Sequence, residues 1–151
     1  YADRLYAFSL SICKSREIAE DVIANIFCML YKYFTEGNHV KKLKAFLYTA
    51  VRNATYDELK LASQNDSLPE YDIYQSKELN MDENVAINQL LDKLPYDERE
   101  IVLLHCYEGF LHKEIASMLD MPEGTVRWKY QRAISKLKLW IEGVYNDKKA
   151  N

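Results

Sequence analysis

Apolar positions recur along this chain at the spacing of helix faces. Leu5, Phe8 and Ile12 share one stripe, and Ala19, Ile23, Ile26, Phe27, Leu30 and Phe34 continue the rhythm in a second segment, the 3.6-residue period of an amphipathic helix. Residues 1–62 are read as one helical unit on this basis. Because the chain opens on Tyr1 inside that pattern, the native product is expected to start earlier, with one more helix ahead of it.

From Ser63 to Glu83 the text turns polar. Asp66, Glu70, Asp72, Glu78, Asp82 and Glu83 stand against a single Lys77, with Pro69 among them, which predicts an acidic linker. With so few apolar anchors there, the flanking domains are expected to move relative to each other, and limited proteolysis to cut this segment first. The helical pattern returns over residues 84–151. Breaks at Leu94-Pro95, Glu108-Gly109 and Asp120-Met121-Pro122-Glu123-Gly124 divide it into four helices.

Composition supports an all-α protein of two small helical domains. Four glycines and three prolines in 151 residues, 48% of them hydrophobic, leave little turn punctuation for a sheet. That length holds one modest core or two small ones. A net charge of -3 argues against a chain that simply coats nucleic acid, so contact with DNA requires a local basic face.

Such a face is present near the C-terminus. Leu111 to Leu119 reads as a short helix with Ile115, Ala116 and Leu119 inward, followed by a tight turn and a longer helix from Glu123, together a helix-turn-helix. On the second helix Val126, Tyr130, Ala133 and Leu137 seat the core side. The opposite side carries Arg127, Trp128, Lys129, Gln131, Arg132, Ser135, Lys136 and Lys138, with no acidic residue between Thr125 and Trp140. Arg and Gln match the donor and acceptor geometry of purine edges in the major groove, while Lys and a helix N-terminus suit phosphates.

The runs Leu91-Leu-Asp-Lys-Leu-Pro-Tyr-Asp-Glu-Arg-Glu-Ile-Val-Leu, Tyr107-Glu-Gly-Phe-Leu-His-Lys-Glu-Ile-Ala-Ser-Met-Leu and Pro122-Glu-Gly-Thr-Val-Arg resemble region 4 of extracytoplasmic-function sigma factors in order and spacing. The resemblance implies binding of the -35 promoter element through Thr125, Arg127, Trp128, Lys129, Gln131, Arg132, Lys136 and Lys138. Trp128 departs from the small residue usual there, which implies an unusual -35 preference. The stretch from Ala19 to Tyr31 is similar to the region 2 helix that docks on the polymerase clamp, and the resemblance assigns that contact to Glu20, Asp21 and Asn25. Ala24 stands where the family has Gln.

The loop and helix from Tyr33 to Asn53 resemble the segment that captures the melted -10 element. Unpaired strands are held by flat side chains, polar groups and cations, which Asn38, His39, Lys41, Lys42, Lys44, Tyr48, Arg52 and Asn53 supply. Phe46 and Leu47 are read as core. The family's basic run after the matching Asn is replaced by Tyr56-Asp-Glu-Leu-Lys-Leu, implying a weaker grip. By the same resemblance the acidic linker threads toward the polymerase active centre.

The partners implied are core RNA polymerase, promoter DNA and an anti-sigma factor. No enzyme activity, cofactor or small-molecule substrate is expected: catalytic triads, phosphate loops and paired carboxylates are not recognisable. His105, Cys106 and His112 are the only candidate metal ligands, and no metal is expected on them. Three widely spaced cysteines without a CxxC pair suggest a reducing cytoplasm, and no apolar run approaches the roughly 18 to 20 residues that span a bilayer, so no membrane insertion is expected. The competing reading is a helix-turn-helix repressor or activator on duplex operator DNA, which the order of the N-terminal segments disfavours.

Overall fold

The computed structural model describes the backbone of residues 1–64 and 81–150, and the side chains of 1–64 and 87–143. Those residues form helices throughout, in two compact units, Tyr1–Tyr74 and Gln75–Asn151. The all-α reading holds.

The first unit packs α1 (Ala2–Cys13), α2 (Arg16–Thr35) and α3 (Leu43–Gln64) against one another. Leu5, Phe8 and Ile12 of α1 are buried as the periodicity requires. On α2 the buried stripe is Ala19, Val22, Ile26 and Leu30, while Phe27 and Phe34 stay about two-fifths exposed, at 41% and 43%. The expected stripe was out of phase: α2 is apolar around much of its circumference, and packing against α1 and α3 selects which strip faces in. Leu47, Tyr48 and Val51 complete the core from α3. The join between α1 and α2 is tight because Lys14 takes a left-handed conformation and Ser15 caps α2 by accepting the Ile18 amide. Gly37, at φ 86°, turns the chain out of α2.

The second unit holds α4 (Met81–Asp92), α5 (Tyr96–Val102), α6 (His112–Leu119) and α7 (Glu123–Ala150). Pro95 precedes α5, where its missing N–H costs no helical bond. The helix then widens into a π segment, Leu103–Tyr107: the Glu108 amide reaches the Leu103 carbonyl at 3.2 Å, and Phe110 reaches Leu104 at 3.0 Å. Gly109 (φ 75°) and Asp120 (φ 54°) take the left-handed turns on either side of α6. Leu91, Leu94, Val102 and Ala133 form a core cluster, bordered by Leu103, Tyr130, Ile134, Leu137 and Trp140.

Ser63 and Gln64 belong to α3, and α4 is already under way from Met81 to Glu83, so both ends of the stretch expected as a linker are helical. Residues 65–80, with most of its acidic residues, lie outside the described residues.

Candidate nucleic-acid interface

Local rules build the helix-turn-helix. The Glu114 carboxylate accepts the Leu111 amide at 3.1 Å and fixes the start of α6. Ile115, Ala116 and Leu119 bury one side of α6. The Asp120 turn then releases the chain, and α7 begins at Glu123 with Val126 fully enclosed. The stripe Val126, Tyr130, Ala133 and Leu137 is the buried or half-buried side of α7, as its spacing predicts.

The other side is less open than the sequence suggests. Arg127, Trp128, Gln131, Arg132 and Lys138 are exposed, and Thr125 is half-buried. Arg127 pairs with Glu123 one turn back at 2.7 Å, with 62% of its side chain exposed, a contact worth little in water. Arg132 lies over the Trp128 ring, 5.3 Å from its centroid. Lys129 and Lys136, however, reach back to α5. The Lys129 ammonium donates to Asp97, and Lys136 donates to Glu98 at 2.9 Å. Arg132 approaches Glu98 at 3.5 Å. These two lysines were expected to face outward; only 22% and 29% of their side chains is exposed. The acid-free run on α7 is thus matched by acids on another helix, which no pattern within α7 can reveal. Burial tends to raise the Asp97 pKa, but the hydrogen bond from Lys129, the Glu98 amide and the ammonium charge together hold it below the ordinary carboxylate value.

Behind α7 the three candidate ligands find other uses. The His105 and His112 rings stack with centroids 4.4 Å apart, and Tyr130 closes on them at 4.8 and 4.9 Å. His105 Nδ1 sits 2.8 Å from the Phe110 carbonyl; a carbonyl only accepts, so that nitrogen carries the proton. The Cys106 sulfur lies 3.7 Å from the Tyr130 hydroxyl. Among the described residues, no three side chains are placed to hold a metal ion.

In the first unit, Glu20, Asp21 and Asn25 lie exposed on α2, Glu20 joined to Arg16 at 2.9 Å. Asn38, His39, Lys41 and Lys42 are exposed on the loop that follows, where the Asn38 amide donates to the Tyr33 carbonyl at 3.1 Å. Lys44 and Arg52 are half-buried on α3, and Asn53 is exposed. Tyr48 requires a correction. Its side chain is fully enclosed and meets Phe8 edge to face at 5.2 Å, so it is a core residue and presents no face to a base. The neighbouring surface offers one instead. The Arg52 guanidinium covers the Tyr56 ring at 4.8 Å, and Arg52, Asn53, Tyr56 and Asp57 line a surface concavity of about 430 Å³. Tyr56 was passed over because it stands where a cation was sought. Its signal was the four-residue spacing from Arg52.

These two units define a class of protein, a bipartite helical one carrying a DNA-binding helix-turn-helix. Family models for Sigma-70 region 2 and Sigma-70 region 4 match residues 1–64 and 84–137. Among curated relatives, the chain is 24% identical to the ECF RNA polymerase sigma factor SigM of Bacillus subtilis over 97% of this chain and 94% of that one. It is 23% identical to SigM of Mycobacterium tuberculosis, over 89% and 69%. Two solved structures share the fold. One is the sigma factor RpoE in complex with the anti-sigma factor NepR from Bartonella quintana (TM-score 0.75, 20% identity, 93% and 91% covered). The other is CnrH in complex with the cytosolic domain of CnrY (TM-score 0.64, 18% identity, 93% and 81% covered). The chain belongs to the extracytoplasmic-function family of sigma factors. It is accordingly not an enzyme but a factor that directs RNA polymerase to promoters, and the repressor reading falls away.

The cytoplasmic assignment is corrected by the same structures. CnrH is held by a partner present as its cytosolic domain, the designation of one part of a larger chain, and a sigma factor held in this way is linked to whatever carries that domain. The purely cytoplasmic reading is withdrawn. Cys13, Cys28 and Cys106 are free thiols, which speak to redox state and not to tethering. No described helix is long and apolar enough to cross a membrane.

Proposed function

We propose that α7 reads the -35 element, that the loop after α2 and the outer side of α3 capture the unpaired -10 strand, and that α2 docks on core polymerase. The observation that carries this is the contiguous exposed group Arg127, Trp128, Gln131 and Arg132 on α7, opposite the enclosed Val126 and Ala133. Arg127, Gln131 and Arg132 supply base-edge donors, Trp128 an apolar surface, Lys138 a phosphate contact, and Thr125 sits at the start of the helix. Lys129 and Lys136 take a lesser part because Asp97 and Glu98 already engage them.

In the first unit, Asn38, His39, Lys41 and Lys42 face the strand from the loop, and Lys44, Arg52 and Asn53 face it from α3. Asp21 and Asn25, with Glu20 beside them, form the polymerase contact. An anti-sigma factor is a further partner, supported by the two similar complexes.

The test separates the two activities of the first unit. Asn53→Ala and Lys42→Ala should impair promoter opening, read as permanganate reactivity of unpaired thymines, while the protein still captures core enzyme in a pull-down. Asp21→Ala should weaken the pull-down. If Asn53→Ala leaves opening intact, Asn53 is structural and the strand-capture assignment fails.

A further inference from the structure

We propose that Asp97 and Glu98 are specificity-determining residues: a carboxylate brace on α7 that neutralises Lys129, Lys136 and part of Arg132, and so suppresses binding to DNA of arbitrary sequence. The inference rests on α7 being the DNA-reading helix.

Acids in the first turn of a helix are ordinarily explained by its dipole, and Asp97 and Glu98 occupy that turn of α5. The dipole does not account for their direction. Both reach across to α7, to partners 32 and 38 positions away in the chain. Glu98 is enclosed, with 6% of its side chain exposed, and its two oxygens serve different partners, Oε1 facing Arg132 at 3.5 Å and Oε2 accepting from Lys136 at 2.9 Å.

A lysine in such a pair contributes little to phosphate binding. Its charge is already balanced, so contact with DNA releases few further counterions, and counterion release supplies nearly all sequence-independent affinity. The base-reading side chains Arg127 and Gln131 lie outside the brace. Arg132 remains more than half exposed, at 53%, anchored at one edge by Glu98 and laid over Trp128. The brace therefore lowers the part of the affinity that ignores sequence and leaves the part that reads it.

The experiment measures binding of the full chain to a random-sequence duplex of about 30 base pairs, by fluorescence anisotropy across potassium chloride concentrations. Glu98→Gln exposes up to two cations, and each phosphate contact steepens the logarithmic salt slope by about 0.9. Its affinity should exceed wild type at low salt, then fall about tenfold more steeply than wild type between roughly 50 and 200 mM. Asp97→Asn, a change at a more exposed site, should give about half that steepening. Lys136→Gln should matter little in the wild-type background and should cancel much of the gain in Glu98→Gln. Unchanged affinity and slope in folded Glu98→Gln would overturn the brace; should that variant fail to fold, unchanged values for Asp97→Asn would do so. Arg127→Ala and Lys138→Ala keep the two readings apart. If both weaken duplex binding while the acid variants do nothing, only the brace falls, and if neither has an effect, the assignment of α7 falls with it.

Discussion

Ser9 and Thr55 join α1 to α3 through a 2.7 Å hydroxyl–hydroxyl hydrogen bond, 46 positions apart in the chain and with neither residue exposed. The Thr55 hydroxyl spends its proton on the Val51 carbonyl at 2.7 Å, so Ser9 is the donor in the shared bond. The two ends are therefore unequal. Thr55→Val strands a buried donor and should cost about 1–3 kcal/mol, whereas Ser9→Ala should cost about 0.5–1.5 kcal/mol, and the double variant less than the two single costs combined. Chemical denaturation of the four proteins measures this, and equal single costs would reverse the assignment of donor and acceptor.

Tyr48→Ala and Tyr56→Ala should part company. The first empties a closed site in the core and should cost about 3–5 kcal/mol of stability. The second removes a half-buried ring and its cation–π contact with Arg52, worth about 0.5–1 kcal/mol, and should weaken capture of single-stranded DNA. Thermal melting and strand-binding titrations distinguish them.

The His105–His112 stack makes the second unit acid-sensitive. Burial first, then the charges of His105 and Arg127, depress the His112 pKa, with Glu123 opposing. A histidine whose folded pKa lies below its unfolded value binds fewer protons when folded, so stability rises with pH in that interval. Its contribution is complete above about pH 6.5 and is lost as pH falls through the depressed folded value. Melting curves between about pH 5 and 7 should show this decline, and His112→Gln should flatten it.

On α7, Arg127→Ala should cost about 1–3 kcal/mol on the preferred -35 sequence and relax preference at one position. Lys138→Ala should weaken all duplexes alike and reduce the salt slope by about one. Binding to a panel of single-base promoter variants separates the two, and a uniform loss for Arg127→Ala would move it to the phosphate contacts.

The helices and the inward side of α7 were legible because the 3.6-residue period is written locally, with Val126, Ala133, Leu5 and Ile12 carrying it. The phase of α2 was not. Its Val22, Ile23, Ile26 and Phe27 are all apolar, and only the neighbours α1 and α3 decide that Val22 and Ile26 are enclosed while Phe27 remains outside. Tyr48 was misread for a related reason, since an aromatic within a strand-capture motif serves equally well as a wedge between helices. The ties from Lys129 to Asp97 and from Lys136 to Glu98 join helices far apart in the chain, and nothing in local spacing announces them.

The π segment at Leu103–Tyr107 has a consequence for reading lengths among related chains. It accommodates one residue more than a regular helix would use over the same rise, so the connection to α6 depends on a local insertion in the helical ladder. Removing one residue there would restore the ordinary winding and rotate everything after it by about 100° about the axis. Phe110, now buried, and the His105 contact with its carbonyl would leave their places together. A single-residue gap in this stretch is therefore a change of phase for the turn into α6, and not merely a shorter loop.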